Sequence, residues 1–264
     1  MDNIKLLREK TGAGMVDCKK ALEEAEGDME KAVDILRKKG ISKAAKRSDR
    51  EAGEGLVLVA VNEAGNEGYV LEINSETDFV ARNEKFQKIA EEAMELIKKN
   101  KPADLEALFS LSLDGVTLKD KLDSLSGTIG EKIDIKRFFI LSGETVAAYS
   151  HAGGRMGVLI SLNKAGESEV ARELAMQIAA SNPKCLKPEE VAKEDVEKEK
   201  EIYREILKKE GKPEAMMEKI IEGKLAKYYE EICLLEQEFI KDETKKIKDV
   251  LKDTEVTKFV RYSL

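Results

Sequence analysis

The sequence predicts an α+β chain: a small helical head, a duplicated α/β core with antiparallel sheets, and a projecting antiparallel helical hairpin. Three observations carry this reading. Charged residues make up 38% of the 264 positions and aromatic residues 5%, with no Trp, as in helix-rich molecules with a large polar surface. Apolar residues recur at helical spacing near both ends of the chain. Between them lie β-branched runs separated by glycine- and asparagine-rich turns, the signature of hairpins. The length favours two or three packed units over one core.

Residues 1–40 read as three short helices. Ile4, Leu6 and Leu7 share one side of the first, which stops at Thr11-Gly12-Ala13-Gly14. Cys18, Leu22 and Ala25 line the second, which ends at Gly27. Asp28 is placed to cap the third, whose inner face is Met29, Val33 and Leu36. Arg37, Lys38 and Lys39 suit a helix C-terminus, and Gly40 suits the left-handed cap after it. So small a bundle leaves little room for an active site, which makes it a docking module or a structural cap. Met15 and Val16 open the second helix, and composition alone places them in the core. Residues 41–55 form a basic, glycine-ending linker, without the aromatic residues that nucleic-acid binding would interleave.

A first core unit is expected over 56–141 and a second over 142–188. Leu56–Val61 and Tyr69–Asn74 read as a hairpin, followed by Thr77-Asp78-Phe79-Val80-Ala81-Arg82-Asn83 and a helix with Phe86, Ile89, Ala93 and Ile97 on one face. Further strands are expected at Ile133–Leu141, Val146–Ser150 and Gly157–Leu162, then a helix carrying Val170, Leu174 and Ile178. Val80-Ala81-Arg82 is echoed by Val170-Ala171-Arg172, which suggests two copies of one unit. Phe79 has no counterpart in the second copy, where Glu169 stands. Its ring therefore either tucks under its own sheet or serves something outside the fold. Asp78, beside a helix start, reads first as a cap. Residues 189–230 form an antiparallel hairpin broken at Gly211-Lys212-Pro213. Its seams are Val196, Tyr203, Ile206 and Leu207 against Met217, Ile220, Ile221, Leu225 and Tyr228. Residues 231–264 return to strand-like composition and dock on the core.

Several function classes are disfavoured. The lone histidine, His151, argues against His-based metal sites and Ser-His-Asp chemistry. Cys18, Cys185 and Cys233 are far apart and without metal-ligand spacing, a pattern that fits a reducing compartment. With 46 Lys plus Arg against 53 Asp plus Glu, the net charge is −7, unsuited to general nucleic-acid binding. The first 50 residues are net basic and residues 51–150 net acidic, which places a boundary near residue 50. No secretory signal or bilayer-spanning stretch is read, so a cytoplasmic protein without membrane association is expected. Gly12-Ala13-Gly14-Met15 lacks the preceding strand and Lys-Ser/Thr ending of a phosphate loop. His151 through Gly157 leads into another strand, not a helix, and so reads as a β connection. Within it His151 is either a turn residue or a pH-sensitive contact.

Leu7 through Met15 with Asp17 through Leu22, then Thr77 through Asn83, and His151 through Gly157 together resemble the bacterial translation elongation factor Ts family over nearly the whole chain. The resemblance implies a guanine-nucleotide exchange factor for elongation factor Tu, not an enzyme, with no cofactor or metal of its own. It implies that the head is ubiquitin-associated-like and touches the partner's GTPase domain through Met15 and Val16. Thr77, Asp78, Phe79 and Val80 would disturb the partner's magnesium site, with Phe79 wedged into an apolar pocket. Asp78 would hold that turn in shape. Ile129, Gly130 and His151 match further contact positions. Val16 stands where some relatives carry a second Met, and the 153–156 loop departs slightly from the commoner form. Two other readings stay open: a ubiquitin-associated-type adaptor or scaffold without exchange activity, and a nucleotide-dependent enzyme using the glycine loops. A homodimer through the core or hairpin is also open.

Overall fold

The computed structural model describes residues 2–264. Three helices open the chain: α1 (Asp2–Thr11), α2 (Met15–Glu24) and α3 (Met29–Ala45). Strands β1 (Glu54–Val61) and β2 (Glu67–Ser75) follow, then α4 (Asp78–Ala81), α5 (Glu84–Asn100) and α6 (Leu105–Ser110). A small ribbon, β3 (Ser112–Leu113) and β4 (Val116–Thr117), leads into α7 (Leu118–Ile129). Next come β5 (Ile133–Ser142), β6 (Thr145–His151), β7 (Met156–Leu162) and α8 (Ser168–Ser181). The hairpin is α9 (Lys193–Lys209) with α10 (Glu214–Ile232). The chain finishes with β8 (Glu238–Phe239), β9 (Asp242–Lys246), α11 (Ile247–Leu251) and β10 (Val256–Ser263).

Two antiparallel three-stranded sheets form the centre, ordered β1-β2-β5 and β10-β7-β6. Each is strand, strand, helix, strand along the chain, with its second strand in the middle and α5 or α8 following that strand. The third strand of the second sheet comes from the C-terminus, β10 pairing antiparallel with β7. The sheets face one another through Val57, Val70, Leu141, Leu159 and Tyr262. Because successive strand residues point to opposite faces, Tyr69, Leu71 and Ile73 of β2 turn outward to meet Phe86, Ile89, Ala93 and Ile97 of α5. Val158, Ile160 and Leu162 of β7 likewise meet Leu174 and Ile178 of α8. The sheets come close where side chains vanish: a Cβ on Gly157 would lie 2.6 Å from a Val59 methyl.

The head has its own small core of Leu7, Cys18, Ala21, Leu22, Ala25 and Ala32. Asp28 caps α3, its carboxylate accepting from the backbone N–H groups of Glu30 and Lys31. Four expectations need correction. Leu6 is exposed, since Ile4 and Leu7, three residues apart, already define the inner face of α1. Met15 and Val16 are exposed rather than core, because Cys18, Ala21, Leu22 and Ala25 complete the seam and the first turn of α2 runs beyond it. Gly40 does not end α3. It is buried within the helix, where a Cβ would lie 3.2 Å from Ser124 Cα, and the helix continues through Ala45 into the expected linker. Ile206 lies outside the hairpin seam, which is built on Leu207 against Met217, Ile221 and Leu225.

Candidate functional site

The segment from Thr77 to Asn83 folds as a single short turn of helix, α4, before α5 begins. Asn83 separates the two helices and caps α5 by accepting from the Lys85 N–H. Val80 and Ala81 are buried against the first core, which fixes α4 on the sheet. Phe79 points the other way, with 81% of its surface exposed. Of the two readings the sequence left open for this ring, the structure excludes burial under its own sheet. Burying a Phe side chain contributes about 1.5–3 kcal/mol, so an exposed ring on an anchored turn forgoes a stabilisation the fold does not use. The echo in the second copy is sequence-deep only in part. Val170-Ala171-Arg172 lies inside the continuous helix α8, with no separate turn before it.

Asp78 is not the helix cap. Thr77 occupies the N-cap position and Asp78 is the first helical residue, its carboxylate 2.9 Å from the Arg82 guanidinium. Thr77 does not cap through its side chain either. Its Oγ1 donates to Glu131 Oε1 at 2.7 Å and its backbone N–H donates to Glu131 Oε2 at 3.0 Å. Ser75 Oγ donates to the Thr77 carbonyl at 2.9 Å. Next to this, Glu76 accepts from the Lys132 N–H at 2.6 Å and from Arg50 at 3.1 Å. Lys132 Nζ in turn reaches the carbonyls of Ser48 and Arg50 at 2.6 and 3.1 Å. These charges bear on Glu76: burial raises its carboxyl, and the Lys132 N–H and Arg50 more than offset that, holding it below its ordinary value.

Ile129 ends α7 half-buried against the first core. Gly130 takes the left-handed conformation that closes the helix, with φ 97°, where a side chain would be strained. Met15 and Val16 are 62% and 66% exposed. The turn before them approaches the same region, since a Cβ on Gly12 would meet Lys85 Nζ at 2.1 Å and Thr128 Cγ2 at 3.5 Å.

His151 ends β6 exposed, its Nδ1 3.0 Å from Tyr149 Oη and its ring stacked on that tyrosine at 5.9 Å. The connection to β7 is a tight turn in which Gly153 and Gly154 both have positive φ. Arg155 leaves this turn to pair with Glu54 at the start of β1. That contact holds the Glu54 carboxyl below its usual range, and Arg82 adds to the effect. The bond to Glu54 in turn raises Arg155, with a smaller part from the charge of Asp78. Two ion pairs, Arg155 with Glu54 and Arg82 with Asp78, thus stand at the 151–157 turn and at α4.

Glu131, Glu76, Lys132 and Arg50 were missed by sequence reasoning. They are charged residues in charged surroundings, and Glu131 lies more than fifty positions from the threonine it binds. No spacing signal exists for such a pair. Among the described residues no cluster of His, Cys, Asp and Glu could hold a metal ion, and no helix is long and apolar enough to cross a membrane.

A family model described as Elongation factor TS matches residues 76–264. The chain is also 44% identical over 279 aligned positions to Elongation factor Ts of Prosthecochloris aestuarii (strain DSM 271 / SK 413). That alignment covers 99% of this chain and 97% of the relative, so the likeness extends through the head. The chain belongs to the elongation factor Ts family.

Proposed function

We propose that this protein promotes release of GDP from elongation factor Tu during translation, with Phe79 as a wedge. In this reading Thr77 to Val80 enter the partner beside its magnesium site, and Met15 and Val16 hold the partner's GTPase domain. Ile129, Gly130 and His151 border the contact. One observation carries the proposal: Phe79 is 81% exposed on a turn whose next two residues are buried anchors. An exchange factor binds the distorted GTPase better than the GDP–magnesium form, so its effect is a difference in affinity between two states. By reciprocity, each tenfold weakening of GDP takes about 1.4 kcal/mol of coupling. One newly buried Phe contributes roughly 1.5–3 kcal/mol, hence one to two decades, and the remainder comes from the wider interface.

The deciding experiment follows loss of fluorescent GDP from loaded elongation factor Tu. Phe79→Ala is expected to slow the stimulated release by about 10- to 100-fold. Its own melting temperature should stay with the parent's, because substitutions at exposed positions change stability by about 0.5 kcal/mol or less. Parental release by the Ala variant would refute the wedge. The exposure of the apolar residues Leu6, Met15 and Val16 on the head favours a second reading, an adaptor that docks without accelerating exchange. Binding to the partner with unchanged GDP release would select it.

A further inference from the structure

We propose that Glu131 is a positioning residue that holds the Phe79 turn in its projecting geometry and so sets how well the ring is presented to the GTPase; this rests on the wedge reading above. Helix α4 is four residues long. A single turn fixes several backbone dihedrals for one hydrogen bond and does not hold itself. Its N-cap threonine gives no side-chain bond to the helix. The geometry of the turn must therefore be imposed from outside.

It is imposed on two sides. On one side Val80 and Ala81 are buried in the first core. On the other, both oxygens of Glu131 are used by Thr77, one by the hydroxyl at 2.7 Å and one by the N–H at 3.0 Å. Phe79 lies between these two fixed points and contributes no burial of its own. Hydrogen bonds to an ionised carboxylate are about twice as strong as neutral ones, and using both oxygens adds direction.

Glu131 is itself held. Gly130 reverses the chain at the end of α7, and Ser126 Oγ donates to the Glu131 carbonyl at 2.6 Å. The neighbouring pair repeats the link in the opposite sense: Glu76 accepts from the Lys132 backbone at 2.6 Å. Two adjacent residues before α4 are thus stitched to two adjacent residues after α7, each stitch made by a glutamate from the opposite strand of chain. Ile129 and Gly130 acquire a use within their own subunit, that of aiming Glu131.

The test uses the full chain and two readouts. In native-state hydrogen exchange, Glu131→Ala should free the Thr77 amide to exchange about tenfold faster, the factor for one lost charge-assisted bond. Glu131→Gln retains one acceptor oxygen and should fall between Ala and the parent. In the GDP-release assay Glu131→Ala should slow exchange severalfold while the chain stays folded at the assay temperature, its melting temperature falling only by the few degrees that one lost bond accounts for. Combined with Phe79→Ala it should add nothing further, because it acts through the ring. A purely structural role would instead lower the melting temperature and leave GDP release by the folded variant at the parent's rate, and a direct contact with the partner would make the two effects additive; either result overturns the proposal. A Thr77 amide as protected in Glu131→Ala as in the parent overturns the latch even if Phe79 is the wedge. Full exchange by Phe79→Ala overturns the wedge, and with it the presentation role. The two failures are thereby told apart.

Discussion

Glu72 shows how far a single residue can depart from what its neighbours in sequence suggest. It sits in the middle of β2 among valine, leucine and isoleucine and is fully buried between the two sheets. Its carboxylate accepts from Arg137 Nε at 2.6 Å and lies within 3.0 Å of Lys136 Nζ, while the Arg137 guanidinium stacks 4.0 Å above the Tyr262 ring. Removing one member of a buried ion pair costs about 3–5 kcal/mol when the remaining charge is stranded. Here Arg137 and Lys136 are both partly exposed, so they stay hydrated after the loss. Glu72→Ala is accordingly expected to cost less, about 2 kcal/mol in a urea or guanidinium titration, mostly from lost charged hydrogen bonds. Phe79 is the opposite case. Its special status was legible from the comparison of the two Val-Ala-Arg strings, but its exposure was not, because an apolar residue beside a helix start fits a core and an interface equally well.

At the scale of elements, the head is fixed to the core by the crossing of α3 and α7. A Cβ on Gly127 would lie 2.4 Å from Gly40 Cα and 3.0 Å from the Gly40 carbonyl carbon, so two glycines let the helix backbones touch. Sequence reasoning placed Gly40 as a terminator, since a glycine after Arg37, Lys38 and Lys39 matches the local pattern of a helix end. Local pattern lost to packing: the missing side chain is needed by a helix nearly ninety residues away. Gly127→Ala should destabilise the protein by about 1–3 kcal/mol, the usual penalty for forcing an atom into a filled contact. A melting curve checks this, and an unchanged midpoint would mean the helices separate without loss. The helical hairpin was more legible, because its apolar seams repeat on the spacing of the helix itself. Its one wrong residue, Ile206, sits one position before the buried Leu207, about 100° away around the helix.

For the whole molecule, burial of phenols and a thiol in the first core and the hairpin sets a limit at alkaline pH. The Tyr69 hydroxyl in the first core is pushed up to about 12, first by desolvation and then by its bond to Glu67. Tyr203 in the hairpin is also raised to about 12, by desolvation and Glu199. Cys233, at the base of the hairpin with its sulfur 3.5 Å from that of Cys185, rises to about 12 from burial and that neighbour. In each case the folded state holds its proton more tightly than the unfolded chain. Their contribution to stability is therefore complete below the unfolded values, near 9 for the thiol and 10 for the phenols, and is lost as pH rises towards 12. Denaturant midpoints measured from pH 8 to 12 should fall over that window, and Tyr69→Phe should fall less steeply. The sequence by itself determined the α+β class, the period-2 and period-3.6 faces, the Asp28 cap and the motif strings that carry the family resemblance, because each depends on neighbours within one or two turns. Tertiary structure alone decided which apolar residues remain in water, which glycine ends a helix and which lets another pass, and that Glu131 reaches Thr77. Those outcomes depend on atoms distant along the chain, whose meeting is fixed only when the whole of it has packed.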